Sequence, residues 1–146
     1  MTKTAAGVQS ELDLARLLTL VERGVVLRFT EALRADGATL DEWRVLSLLG
    51  DGNGHAMTEI AEYALLPAPT LTKVVDRMVS VNLVHRRADE TDRRRVLVLA
   101  SDRGRRALQQ WNATVEGKYD EVVAALGSEE IALLRALLTR ASKRLS

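Results

Sequence analysis

Residues 58–104 read TEIAEYALLPAPTLTKVVDRMVSVNLVHRRADETDRRRVLVLASDRG, and this stretch decides the fold. Its first part predicts two short helices joined by a tight turn. Thr58 is suited to accept a backbone hydrogen bond at a helix start, and the apolar residues after it keep the spacing of one helix face. Pro67 ends that helix, because proline lacks an N–H and disfavours helical geometry in the residue before it. Pro69 suits the first turn of the next helix, so we predict helices at about 58–65 and 69–81.

The second predicted helix has two unlike faces. An apolar stripe at the helical period would face the core and contains Leu71, Val74, Val75 and Met78. The other face is short, polar and partly cationic, with Thr72, Lys73, Asp76, Arg77 and Ser80. Small donors and acceptors near a helix N-terminus, flanked by cations for phosphates, are typical of a helix lying in the DNA major groove. The solvated face of an ordinary helix has a similar composition, so the pattern alone leaves both interpretations open.

A strand, a charged loop and a second strand are predicted within residues 83–100. Val96, Val98 and Ala100 would face one side of the second strand, where β-branched residues suit a pleated surface. The loop is too polar to be buried, which predicts a hairpin with an arginine-rich tip. Residues 85–106 carry eight arginines against four acidic residues, a net charge of +4 in a chain whose formal net charge is +1. This distribution favours one anion-binding face, the alternative being a solvated charged loop.

These residues resemble the MarR-type winged helix-turn-helix transcriptional regulators. The wing of that family carries an Asp-x-Arg, then an apolar strand, then a glycine about ten residues on. Here the sequence Asp-Arg-Arg at 92–94 is followed by the apolar strand and by Gly104. The likeness continues upstream through residues 60–62 and 70–78 and covers about residues 14–138.

The chain departs from the family pattern in two places. It has Ala100-Ser101 where the family usually has a Leu-Thr pair, although serine is still an adequate helix N-cap. Leu65 and Pro67 occupy the turn in which the family often has a glycine before its recognition helix.

Long helical patterns flank the central part. Residues 10–35 are apolar on more than one helix face, and such a helix must bury more than one face, part of it in a dimer interface. Thr39 and Glu42 form a capping box for a helix that ends at Gly50 and places Trp43 in the core. Two more helices are predicted after Gly104, separated by a stop and cap at residues 127–128.

The predicted fold class is therefore mainly α, in one domain of residues 1–146. Residues 39–100 would form a winged helix-turn-helix part with a two-stranded β wing. The N- and C-terminal helices, at 10–36 and 102–146, would flank it and form a dimerisation layer, as the resemblance also implies.

Composition and motifs exclude several classes of protein. The chain has no cysteine, so disulfides and thiolate metal sites are absent. Residues 1–7 lack the apolar core of a signal peptide, and no apolar run is long enough to span a membrane, which predicts a cytoplasmic location. His55 is expected to be a solvated loop residue and His85 a strand residue. Neither belongs to a catalytic or metal motif, so no enzyme activity, cofactor or metal is expected.

The residues and the resemblance together imply a homodimeric, sequence-specific DNA-binding regulator, a ligand-responsive repressor acting on a pseudo-palindromic double-stranded operator. The residues expected at the DNA are Pro69, Thr70, Thr72, Lys73 and Arg77 on the recognition helix, and Arg86, Asp92, Arg94 and Arg95 in the wing. By resemblance, Arg94 inserts into the minor groove. Asp92 would either orient that arginine by an ion pair or only form the turn, and Arg86 would support the base of the wing.

The resemblance also implies an effector, a small aromatic or carboxylate ligand in a cleft between the dimerisation helices and the winged part. Arg16, Trp43 and Trp111 are the candidate contacts, with a core or surface role as the alternative for each. The alternative function is a winged-helix module for protein–protein interaction without specific DNA binding.

Overall fold

The computed structural model describes residues 5–146, with side chains from Asp13 onward. Its helices are α1 (Ala5–Ala35), α2 (Leu40–Leu49), α3 (Met57–Ala64), α4 (Ala68–Ser80), α5 (Asp102–Leu126) and α6 (Ser128–Leu145). Its strands are β1 (His55–Ala56), β2 (Val84–Ala88) and β3 (Val96–Ala100). The mainly α fold with a winged helix-turn-helix is confirmed. Residues 1–4, part of the stretch expected to carry no signal peptide, lie outside the described residues.

The wing is part of a three-stranded antiparallel sheet with strand order β1-β3-β2. The predicted hairpin is present, with Arg86 opposite Val98 and Ala88 opposite Val96. The strand β1 was not predicted, and it pairs His55 with Val98 on the other edge of β3. The prediction of a solvated loop at His55 is therefore wrong. A strand of two residues beside a glycine-rich loop has no periodicity to read, so its pairing depends on tertiary contacts.

The core lies where α2, α3 and α4 meet the sheet and the start of α5. Leu46, Ile60, Val75, Met78 and Val98 are all completely buried there. The apolar stripe of α4 faces this core, as predicted. On β3, the inward side is buried at Val98 and Ala100, whereas Val96 extends beyond the core and is 47% exposed.

Side-chain caps fix two helix starts as predicted. Thr39 Oγ1 accepts a hydrogen bond from the Glu42 N–H at the start of α2, and Ser101 Oγ accepts one from the Gly104 N–H at the start of α5. The prediction for α3 is wrong, because its N-cap is Ala56 and Thr58 lies inside the helix. The pairing of β1 with β3 sets the start of α3 instead. The N-cap of α6 is Gly127, not Ser128.

The glycine that ends the wing motif lies at a close approach of two backbone segments. Gly104 is buried in the first turn of α5, and a Cβ atom there would lie 2.0 Å from the Leu83 carbonyl oxygen. That same oxygen accepts hydrogen bonds from the Ser101 N–H and the Ser101 hydroxyl, both at 3.0 Å. Residue 104 must therefore lack a side chain for α5 to begin directly against the chain that enters β2.

The turn between α3 and α4 contains a strained residue. Leu65 ends α3 in the left-handed region, at φ 57° and ψ 43°, and its side chain is 79% exposed. This is the turn in which the sequence lacks the family's glycine. An L-residue with a large side chain adopts this conformation at a cost, whereas glycine and asparagine adopt it readily.

Leu65→Asn is expected to stabilise the protein by about 1 kcal/mol, because asparagine tolerates the left-handed conformation and the leucine side chain buries little surface. Urea unfolding of the two proteins measures the difference. As a control, Leu66→Asn at the next position, which is partly buried against the core, should destabilise. An unchanged or lower urea midpoint for Leu65→Asn would show that the left-handed backbone at Leu65 does not cost stability.

The outer helices leave much apolar surface uncovered. The helix α6 has no buried residue, and α1 is exposed along most of its described length. Large apolar side chains that are at least 45% exposed include Leu14, Leu17, Leu18, Leu20, Val21, Leu133, Leu137 and Leu138. Among residues 5–146, no helix has an apolar stretch of the length that a lipid bilayer requires.

Candidate nucleic-acid interface

The N-terminal half of α4 presents a polar, exposed face. Pro69, Thr70, Thr72 and Lys73 are all exposed there. The N-cap is Pro67, which makes no side-chain cap hydrogen bond, so the first N–H groups of α4 keep their capacity to bind an anion. Thr72 Oγ1 donates a hydrogen bond to the Ala68 carbonyl at 3.0 Å, which leaves its oxygen available as an acceptor.

The middle of α4 is tied to the base of the wing. Arg86 on β2 forms an ion pair and a hydrogen bond with Asp76 on α4. This pair cancels the only negative charge on the exposed face of α4 among the residues described, so less repulsion would act on an approaching phosphate. The expectation that Arg86 supports the wing from its base agrees with this contact, whereas its guanidinium is already engaged and does not point freely outward.

The tip of the wing is organised by Asp92. Its Oδ1 accepts a hydrogen bond from the Arg94 N–H at 3.2 Å, and its carbonyl oxygen accepts one from the Arg95 N–H at 2.9 Å. The same Oδ1 lies 3.7 Å from the Arg94 Nε. The ion pair and the turn-forming role are therefore both present, and they do not exclude each other. The Arg94 side chain is 96% exposed and extends into solvent from the tip.

A chain of charged groups fixes the other side of the wing to α3. Arg95 Nη2 donates to Glu59 Oε1 at 2.5 Å, and Glu59 Oε2 lies 2.9 Å from His55 Nδ1. The other ring nitrogen of His55, Nε2, lies 2.8 Å from Asp51 Oδ2. Arg95 is thus directed toward the helix-turn-helix. Sequence reasoning missed Glu59 and His55 because the ion pair joins residues that are 36 positions apart.

His55 lies between two carboxylates, and this position raises its pKa. Partial burial of the ring opposes protonation, but hydrogen bonds to Glu59 and Asp51 and the attraction of both negative charges outweigh it and raise the pKa above 6.5. The pKa values of both acids are lowered. For Asp51 the main cause is the hydrogen bond from the Asn53 N–H, and for Glu59 it is the hydrogen bond from His55.

The free energy of unfolding is expected to decrease as the pH rises above about 6.5 because of His55. The pKa of His55 is higher in the folded than in the unfolded chain, so its stabilising effect is complete below pH 6.5 and is lost as the pH rises through the folded-state pKa. Urea unfolding at several pH values measures this slope. His55→Gln should flatten it, and an equal slope in both proteins would contradict the assignment.

Arg77 lies toward the end of α4, and its side chain is 65% exposed. Its Nε is 3.8 Å from Oε1 of Glu42, an acid that is almost completely buried at the start of α2. Glu42 was predicted only as part of the capping box, and its burial beside α4 was missed. A capping residue is normally at the surface, so nothing in the sequence distinguishes this one.

The structure does not bring the three candidate effector residues together. Trp111 is buried and lines a cavity of about 290 Å³ between α2, α4 and α5. Trp43 is half-buried and packs against the core, in agreement with its expected core role, and its Nε1 donates to Asn112 Oδ1 at 2.9 Å. Arg16 is exposed on α1. Neither Trp43 nor Arg16 lines the cavity at Trp111.

Comparisons with known proteins agree with this geometry. The sequence model of the MarR family matches residues 36–95, which contain α2, the helix-turn-helix and most of the wing. The transcriptional repressor CouR, solved bound to a 23-mer DNA duplex, is 26% identical, with a TM-score of 0.83 over 97% of this chain and 99% of that chain. These matches support the assignment of the chain to the MarR family. A mutant of MarR from E. coli, solved with operator DNA, is 25% identical, with a TM-score of 0.81 over 90% of this chain and 95% of that chain.

A curated relative gives the same assignment. The HTH-type transcriptional regulator FarR of Neisseria gonorrhoeae is 26% identical over 126 residues, which are 86% of each protein. Together, the comparisons support a winged helix-turn-helix, DNA-binding transcriptional regulator of the MarR type. The exposed face of α4 and the tip of the wing both belong to the winged helix-turn-helix part of the chain.

Proposed function

We propose that this MarR-family chain is a ligand-responsive repressor that acts as a homodimer on a pseudo-palindromic operator. In each subunit, α4 would enter the major groove with Pro69, Thr70, Thr72 and Lys73 at the base edges and phosphates. Arg94 would enter the neighbouring minor groove. The observation that carries the proposal is the 96% exposure of Arg94 at the tip of a wing in which two other arginines, Arg86 and Arg95, are paired with acids of the helix-turn-helix.

The ion pairs at the base of the wing support a fixed spacing between the two DNA-contacting elements. Asp76–Arg86 links β2 to α4, and Glu59–Arg95 links β3's entry to α3. Because the wing is held at both of its strands, Arg94 and the N-terminus of α4 would meet DNA as one surface. A preformed surface loses less conformational freedom on binding than a mobile one.

The exposed apolar side chains of α1 and α6 support a homodimer. This many exposed large apolar side chains on two helices indicate a surface that another molecule covers. A two-fold axis through these helices would place two winged units side by side, and each would meet one half-site about one DNA turn, on the order of 10 bp, from the other.

A dimer bound to promoter DNA would repress by blocking access to that DNA. The proposed ligand response depends on how the dimerisation helices position the two winged units. The effector would bind where α5 meets the winged unit, as at the cavity lined by Trp111. A ligand that binds more tightly when the two winged units are too far apart or too close for the operator lowers DNA affinity. The decrease is set by the ratio of its affinities for that state and for the DNA-binding state. A regulator that acts on DNA would work in the cytoplasm.

The test is binding of the purified chain to DNA from upstream of its own gene, compared with shuffled DNA of equal composition at several salt concentrations. Sedimentation of the same samples gives the number of subunits per DNA. Two subunits on the upstream DNA, with an affinity well above that for shuffled DNA and a steep salt dependence, are expected. Equal weak binding to every DNA offered would instead favour the protein–protein interaction module.

A matched pair of variants makes this test specific for α4. Lys73→Ala should lower the slope of log affinity against log salt by about 1 for each phosphate that is no longer neutralised, that is, about 2 for a dimer. Lys143→Ala removes the same charge from an exposed position near the end of α6 and should leave the slope unchanged. Equal effects of the two substitutions would contradict the assignment of α4.

A further inference from the structure

Glu42 offers a buried acceptor that nothing in the described part of the chain satisfies. It lies in the first turn of α2 and is only 3% exposed. Its Oε1 atom is enclosed and has no hydrogen-bond partner among the described residues. Arg77 Nε, at 3.8 Å, is close enough for attraction but too far for a hydrogen bond. A carboxylate oxygen buried without a donor is costly, so a donor from outside the chain would gain a strong interaction here.

The Glu42 side chain lines a cavity. The cavity measures about 290 Å³ and lies between the start of α2, the end of α4 and the first half of α5. Trp111, Ala107, Val81 and Leu83 contribute its apolar lining. This volume is at the lower limit for small-molecule sites, so it suits a ligand with a single ring or a short alkyl chain.

The other charged groups around the cavity leave Glu42 as the group that an incoming ligand would meet. Asp36 already accepts hydrogen bonds from Gln110 at 3.0 Å and from Thr114 at 2.5 Å. Arg77 and Arg103 are exposed, so each can turn its guanidinium into water. Glu42 is buried and cannot move away. The four charged residues of the lining carry no net charge, and Glu42 is the one among them that is buried.

We infer that this cavity is a binding site for a small primary amine in its protonated form. The ammonium group would donate to the Glu42 carboxylate, and the apolar body of the amine would lie against Trp111. A charge-assisted hydrogen bond is stronger than one from a neutral hydroxyl, and a carboxylate ligand would be repelled by Glu42. The inference deepens the proposed ligand response by naming the ligand's chemical class, and it rests on that proposal only for the effect on DNA.

Occupation of the site would change the surroundings of α4. The bound ammonium would take the place of Arg77 as the cation nearest to Glu42, and the two positive charges would repel each other. Arg77 belongs to the helix that carries Thr70, Thr72 and Lys73, so displacement of its side chain alters the end of α4. The amine is therefore expected to weaken operator binding, and operator DNA to weaken amine binding by the same factor.

The test uses three probes of similar shape, 2-phenylethylamine, 2-phenylethanol and phenylacetate, titrated into the full-length protein by calorimetry without DNA. The amine is expected to bind at least tenfold more tightly than the alcohol, and phenylacetate more weakly still. Glu42→Gln should lose most of the preference for the amine. Asp41→Asn is the matched control, since it removes the same charge from the neighbouring residue, which does not line the cavity. Urea unfolding of both variants shows whether each remains folded.

The binding measurement overturns the inference if phenylacetate binds as tightly as the amine, if Asp41→Asn loses the preference as Glu42→Gln does, or if none of the probes binds and the cavity holds only water. Because no DNA is present, this result is independent of the proposed function. Operator binding with and without the amine is then measured separately. Amine binding that leaves operator affinity unchanged would overturn the coupling to DNA and retain the site.

Discussion

Gly104→Ala is expected to destabilise the protein by about 3 kcal/mol or more, at the upper end for an overpacked site. The added Cβ would lie 2.0 Å from the Leu83 carbonyl oxygen, and a backbone oxygen cannot rotate away as a side chain can. Relief requires α5 to move from the wing, which breaks the hydrogen bonds from Ser101 to Leu83. Thermal unfolding should show a Tm lower by about 10 °C.

Gly117→Ala provides the matched control on the same helix. No atom lies within 4 Å of the position that its Cβ would take. Alanine is the better helix former by about 0.5–1 kcal/mol, so this variant should be slightly more stable than the wild type. Similar midpoints for the two variants would show that the close contact at Gly104 is not the cause.

Arg94→Ala is expected to reduce operator affinity at least about 30-fold. Removal of a base-contacting arginine costs about 1–3 kcal/mol, and a dimer would lose two of them. Arg94 is 96% exposed, and Asp92 touches only one edge of its guanidinium, so the substitution removes little that holds the fold together. Titration of operator DNA at constant salt measures the decrease in affinity, and urea unfolding should give the wild-type midpoint.

Arg94→Lys separates charge from shape. Lysine keeps the positive charge but lacks the planar guanidinium, so it should retain the non-specific affinity and lose part of the preference for operator over shuffled DNA. If Arg94→Ala binds the operator as the wild type does, the wing tip has no role in binding.

The local features of the fold were predictable from the sequence. The stripe Leu71, Val75 and Met78 indicated the buried face of α4, because burial of a helix face requires that period. The caps at Thr39 and Ser101 were recognisable because each depends on hydrogen bonds within three residues. The hairpin was recognisable because both of its strands are regular and one polar loop joins them.

The features that the sequence did not predict depend on partners far along the chain. The strand β1 exists only because His55 pairs with Val98. In the candidate site, the exposed residues of α4 and the wing tip could be named from composition, but the partners of Arg86 and Arg95 could not. An arginine that faces DNA and one that holds an acid of a neighbouring helix have the same sequence pattern. Glu42 was missed for a similar reason, since its burial results from the packing of α2 against α4 and α5.

The length of α5 converts small changes of angle into large displacements. It begins against β3 and α2 and continues without interruption to pack on α1 and α6. Its 25 residues span about 37 Å at 1.5 Å per residue. If α5 tilts by about 5° about its C-terminal end, the winged unit at its N-terminal end moves by about 3 Å. In the proposed dimer, both subunits together would change the separation of the winged units by about 6 Å, against a DNA repeat of about 34 Å. A small change in the angle at which α5 leaves the dimerisation layer would therefore be enough to alter the fit of both winged units to DNA.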